Sequence, residues 1–370
     1  MQIKKFDSSF LNKNVLQGKR LYGIDLLKII AMINVINLHI VGSSGLLRIN
    51  PKHPKFKHAY RLEIFSYWPV NAFGLISGIV GFKKYKFSNL IYLWIENFYY
   101  SILFSILLYS KSLLDLKELI LSFFPLGIQR FWYFNAYFFM YLTLPFITTS
   151  INSINNKLYT KLIICYFFFY SLYHTILHLI IKFNNFDTIN NGYSSMWLIT
   201  LYILGGFFAR FYMNKIFFPN FCNLIIYIIS SFISCEYIFY CIEKNKPYKS
   251  LMKYNSPTII IQAISLIFFF KNLHINNKFV KTAILFFNPL NFNVALIHMR
   301  VFLFNTTIIK KLFEYIMLLS PKYLFFKIYS ISILIYLLCS IFDYFRYLLF
   351  KLLKIRILCI YIENKIFNLN

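Results

Sequence analysis

Three ionisable side chains fall inside the first long apolar run of the chain: Asp25, Lys28 and His39. At about 100° per residue, the step from Lys28 to His39 returns to within about 20° of the same helix face. Asp25 lies within about 60° of Lys28, one turn away. Helix rise then separates Lys28 from His39 by about 16 Å along the axis. Ionisable groups are costly in lipid, so this face is expected to line a polar cavity. An imidazole titrates near working pH and suits a general base. A blander reading makes Asp25 and Lys28 an i, i+3 structural pair, with the ammonium reaching toward the interface.

Further candidates are scattered through later apolar runs. Glu96 is expected to pair with a cation such as Lys28, or to line the same cavity. Ser77 and Trp132 could each donate a hydrogen bond to a developing oxyanion. His298 and Arg300 form a second polar spot, expected to touch the cavity or to be structural. Asp343 and Arg346 read as a structural i, i+3 pair. His174 and His178 share a face at i, i+4, but no third ligand is adjacent, so a metal site is not expected. No Gly-rich phosphate loop occurs.

These residues need a scaffold, and composition says which kind. The 370 residues are 59% hydrophobic and 14% charged, well below the roughly 25% charged residues of soluble domains. Taking about 20 apolar residues per span, helices are expected near 21–41, 64–82, 90–110, 131–149, 158–181, 194–213, 217–242, 256–272, 284–304 and 325–350. The fold class is therefore all-α, a polytopic membrane bundle of about ten transmembrane helices. Segment 113–128 is apolar but interrupted, and is expected at the interface or re-entering. Residues 1–20 read as a basic N-terminal segment, with no cleavage site in the run that follows, and 351–370 as a C-terminal tail.

The formal net charge is +27. Its cations sit mostly in short loops, as at Lys83, Lys84 and Lys86, and not on one long stripe. Headgroup contact is expected and nucleic-acid binding is not. Loop cations are denser when the N-terminus is placed inside, which favours both termini in the cytoplasm. The six cysteines form no C-x-x-C pair, so neither zinc nor a disulfide framework is indicated.

The run Tyr22-Gly23-Ile24-Asp25-Leu26-Leu27-Lys28-Ile29-Ile30-Ala31-Met32, followed by Leu38-His39, resembles the opening helix of membrane acyltransferase family 3. That family carries an Arg, ten residues, then a His; here Lys28 takes the place of the Arg. Further fragments agree in order. Val70-Asn71-Ala72-Phe73 with Ser77-Gly78 is similar to its second-helix segment, and Phe131-Trp132-Tyr133-Phe134 through Pro145 to a middle helix. Leu201-Tyr202-Ile203-Leu204-Gly205-Gly206 and Asn255-Ser256-Pro257 resemble later segments. Leu296-Ile297-His298 and Asp343-Tyr344-Phe345-Arg346 resemble the penultimate and last helices. Ile79 departs from the usual aromatic, and Ala295 from the usual Tyr. Lys28 keeps the charge of the Arg but loses its two-pronged grip.

The resemblance implies an O-acyltransferase of the inner membrane, moving an acyl group, commonly acetyl, from acyl-CoA to a surface polysaccharide or related glycan. It implies His39 and Asp25 as the catalytic residues, with His39 the base and Asp25 steadying Lys28, the residue holding acyl-CoA, and Ser77, Trp132, Glu96 and His298 in the substrate site or around the cavity. No metal is implied. The rival readings are a transporter or flippase for lipid-linked sugars and a family member that no longer catalyses.

Overall fold

The computed structural model describes residues 20–81, 85–126, 131–181, 189–213, 215, 219–244, 246, 249–303 and 307–367. Residues 1–19, Lys83, Lys84 and Gly127, which entered the sequence reading, lie outside the described residues. Among the described residues there is helix and no strand. The helices are α1 (Tyr22–Ser43), α2 (Phe56–Phe65), α3 (Pro69–Gly81), α4 (Phe87–Tyr109), α5 (Leu116–Leu121), α6 (Trp132–Ser153), α7 (Asn156–Phe167), α8 (His174–Ile181), α9 (Ser195–Phe211) and α10 (Asn220–Glu243). They continue as α11 (Pro257–Lys271), α12 (Lys278–Phe287), α13 (Asn291–Leu303), α14 (Thr307–Leu318), α15 (Pro321–Leu352) and α16 (Ile355–Phe367).

Each of the ten expected segments holds a helix, but length and apolarity separate them. Among the described residues, six helices are long and apolar enough to cross a membrane: Tyr22–Ser43, Phe56–Gly81, Phe87–Tyr109, Asn156–Leu177, Asn220–Glu243 and Pro321–Leu352. Lys278–Phe287 and Asn291–Arg300 make a seventh if counted as one span, though they meet at 52°. The 15 residues of α11 rise only about 22 Å, short of a hydrocarbon core of about 30 Å. Outward faces of α10 and α15 expose Ile229, Phe232, Ile233, Leu334, Leu338 and Ile341, the surface that lipid solvates.

Helices α5, α14 and α16 lie wholly outside the ten expected segments, and α2 almost wholly. The 113–128 segment forms only α5, whose first turn Asp115 caps by accepting from the Glu118 amide at 2.7 Å. The expected tail instead holds α16. Another helix, α14, precedes α15, exposing Ile308 and Leu318 on one face while burying Ile309 and Ile316 on the other.

Helix α1 runs through the centre, packed by α2, α3, α11, α12, α13 and α15. Its two asparagines stitch it in place. Tyr329 donates to Asn34 Oδ1 at 2.9 Å, and Ser332 donates to Asn37 Oδ1. Beside it, α3 and α9 lie so close that a Cβ on Gly78 would stand 2.0 Å from the Tyr202 carbonyl oxygen. A Cβ on Gly205 would stand 2.1 Å from that of Leu75. Small residues let helix backbones meet where lipid offers no hydrophobic drive. The Ser77-Gly78 and Gly205-Gly206 fragments therefore do packing work.

Between α7 and α8, Phe168–Tyr173 forms a π-helical turn. Such turns free a carbonyl. Asn255 donates to that of Tyr170 at 3.0 Å, tying the turn to the segment before α11.

Candidate functional site

A cavity of about 320 Å³ opens along α1 and is lined by Lys28, His39, Ser77 and Trp132, four of the residues singled out from sequence. Helical periodicity delivers the first two to one face, as expected. Met32, Val35, Phe73, Phe292, Ala295 and Met299 make its walls largely apolar. The volume equals the share of about ten liquid waters, enough for an extended small substrate.

At one end stands the charge cluster. Asp25 is buried, accepting from Arg20 at 2.6 Å and from Lys28 at 3.1 Å. Asn288 adds a third donor at 3.2 Å, and Asn291 donates to the Lys28 carbonyl at 2.9 Å. Two cations against one carboxylate leave this end net positive. Asp25 is thereby a positioning residue for Lys28. Helix rise sets Asp25 about 21 Å from His39.

At the other end, His39 Nδ1 is 2.7 Å from His298 Nε2. His298 Nδ1 in turn lies 2.6 Å from the Val294 carbonyl oxygen. A carbonyl only accepts, so Nδ1 of His298 carries the proton and its Nε2 is the lone pair. Nδ1 of His39 must then donate to it. That leaves the basic lone pair of His39 on Nε2, which makes no hydrogen bond to any described residue. His298 thus sits behind the candidate base and fixes its tautomer and ring direction.

The two expected oxyanion donors differ. Ser77 donates to the Phe73 carbonyl at 2.8 Å within its own helix. Trp132 lines the cavity, and its indole N–H makes no hydrogen bond to a described residue.

Glu96 is corrected. It neither pairs with Lys28 nor lines the cavity. It accepts from Arg346 at 2.7 Å and from Asn293 at 3.1 Å, while Arg346 also grips Asp343 at 2.8 and 2.9 Å. Tyr100 donates to Asp343 at 2.5 Å. Side chains one turn apart on α15 show as a pair in sequence, but the third charge from α4 does not. Arg300 donates to Ser101 at 2.9 Å and lies over the Phe131 ring at 4.7 Å. Among the described residues, no group of three or more His, Cys, Asp or Glu could hold a metal ion. His174 is buried in α8, and the side chain of His178 lies outside the described residues.

Sequence reasoning missed Glu63, Tyr67, Tyr193 and Tyr254, an aromatic and acidic cluster that meets Trp132 at the His39 end. Comparison with protein-family models, with characterised proteins and with solved structures gives no significant match for this chain.

Proposed function

We propose that this chain is a membrane O-acyltransferase, moving an acyl group, expected to be acetyl, from acyl-CoA to a hydroxyl of a cell-surface polysaccharide or related glycan. The observation that carries this reading is the His39–His298 contact of 2.7 Å on the wall of a cavity that also reaches Lys28. The ordered resemblance to membrane acyltransferase family 3 supplies the reaction class.

In this reading His39 Nε2 takes the proton of the acceptor hydroxyl as its oxygen attacks the thioester carbonyl carbon. The Trp132 N–H faces the charge that develops on the carbonyl oxygen. Collapse breaks the C–S bond, and the imidazolium returns its proton to the departing thiolate. Ester and free thiol result, with no net change at the protein. Lys28 and Arg20, sharing Asp25, present positive charge to the phosphates of the donor. Ten crossings in the inner membrane, with both termini cytoplasmic, fit this route if the shorter α9 and α11, α6, and the bent α12–α13 pair are counted with the six long spans.

The test is ester-linked acetyl on the surface glycan of cells expressing the chain and of cells expressing His39→Ala. Ester with the first and none with the second, at equal membrane insertion, is the expected result. No ester with either, in a host whose glycan offers free hydroxyls, overturns the reading in favour of a transporter of lipid-linked sugars or an inactive protein.

A further inference from the structure

The acceptor hydroxyl must reach His39 from somewhere, and the cluster at that end of α1 has the chemistry to hold it. Glu63 closes α2 and is 7% exposed, with one carboxyl oxygen buried and lacking a hydrogen-bond partner. A buried oxygen left without a donor is costly, by about 1–3 kcal/mol or more when charged. It lies within electrostatic range of the Tyr67, Tyr193 and Tyr254 hydroxyls. Those phenols converge: the Tyr67 and Tyr193 hydroxyls are 3.1 Å apart, and the Tyr193 and Tyr254 ring centroids are 4.8 Å apart.

The rings close on one another. Trp132 lies 4.6 Å from Tyr193 and 5.8 Å from Tyr254, with Tyr67 4.7 Å from Tyr254. Trp132 and Tyr254 line the His39 cavity, whereas Tyr193 is 37% exposed, so the cluster joins the cavity to the protein surface. Its backbone is held ready. Asn71 donates to the Tyr254 carbonyl at 2.7 Å and accepts from the Trp197 indole at 3.0 Å. Gly192, at φ +93°, lets Tyr193 turn in against Tyr254, where a Cβ would stand 2.4 Å from the Tyr254 Cβ.

We infer that Glu63, Tyr67, Tyr193, Tyr254 and Trp132 form the subsite that binds the sugar ring of the acceptor. The inference rests on the acyltransferase reading for the word acceptor, but not for sugar binding itself. A sugar presents both an apolar face for the rings and hydroxyls that donate to a carboxyl oxygen and exchange bonds with phenols. Aromatic rings beside a carboxylate also suit an ammonium ligand. These rings, however, pack on one another and offer a ligand only the cavity side that Trp132 and Tyr254 line, a one-sided contact that suits the apolar face of a sugar and not a cation enclosed on several sides.

Binding is measured on the full chain in detergent, by tryptophan fluorescence, with neutral hexose and hexosamine oligosaccharides and with tetramethylammonium as the cationic probe. Saturable sugar binding, weakened at least tenfold by Glu63→Gln and by Tyr193→Phe and unchanged in the control Gly42→Ala, is the expected result. Tyr193→Phe removes one hydroxyl from a partly exposed ring, so it remains informative if Glu63→Gln fails to fold. Equal affinity in wild type and both variants, no saturable binding of any sugar, or binding of tetramethylammonium alone would overturn the subsite. Sugar binding without acyl transfer would remove the proposed reaction and keep the subsite.

Discussion

The imidazole of His298 stands directly behind that of His39, with 2.7 Å between ring nitrogens that are 259 residues apart in sequence. The Val294 carbonyl sets the direction of the whole relay. This contact makes His298 a positioning residue whose loss is separable from loss of fold. His298→Ala is expected to lower kcat for acyl transfer about 10–100-fold while leaving both KM values near wild type. His298→Gln, whose amide oxygen can accept from His39 Nδ1, should recover part of that loss. Steady-state kinetics on purified protein check both, and equal kcat in all three proteins would break the relay.

Lys28 calls for a different signature. Lys28→Met should raise the KM for acyl-CoA about tenfold with little change in kcat, because the charge acts on bound phosphates and not on the reacting carbon. Lys28→Arg keeps the charge and should stay close to wild type. An unchanged donor KM in Lys28→Met would remove this residue from the donor site.

The Glu96–Arg346–Asp343 network is a matter of stability. Arg346→Met leaves two buried carboxyls without their cation and is expected to destabilise by about 3–5 kcal/mol. Glu96→Gln, which keeps an acceptor, should be much milder. Thermal unfolding in detergent separates them. A greater loss for Glu96→Gln than for Arg346→Met would reverse the assignment.

At the α3–α9 contact, Gly78→Ala sets a methyl 2.0 Å from a backbone oxygen that has no room to yield. Overpacking of this kind costs about 1–3 kcal/mol. The fraction of monodisperse protein after mild heating should fall for Gly78→Ala and for Gly205→Ala. Gly42→Ala, with open space around its Cβ position, is the matched control and should match wild type.

Local periodicity carried the reading of α1. Asp25, Lys28 and His39 share a face because helix geometry repeats, and no partner helix is needed to see it. Partners across the bundle are another matter. His298 showed in sequence as a costly intramembrane group and, through the resemblance, as a cavity residue but not as the partner of His39, and Arg346 as the neighbour of Asp343 and not of Glu96. Which helix meets which is fixed by contacts such as Gly78 against Tyr202, and periodicity within one segment does not encode them. Glu63 and Tyr67 were passed over because they lie where α2 ends and α3 begins, a junction that the apolar run 64–82 concealed. The helix count was blurred likewise. Hydropathy marks apolar stretches, while the bend between α12 and α13 depends on how Asn288 and Asn291 are held by α1.

That bend gives the cavity two unlike walls. One is a rigid plate, with α3 and α9 locked through their glycines. The other, α13, is hinged at its first residues against Asp25 and Lys28 and carries His298 about two turns further on. A displacement of α13 away from α1 would draw His298 away from His39. In the acyltransferase reading, the wall beside the substrate is also the part that aims the base, so His39 keeps its direction only while α13 stays packed against α1.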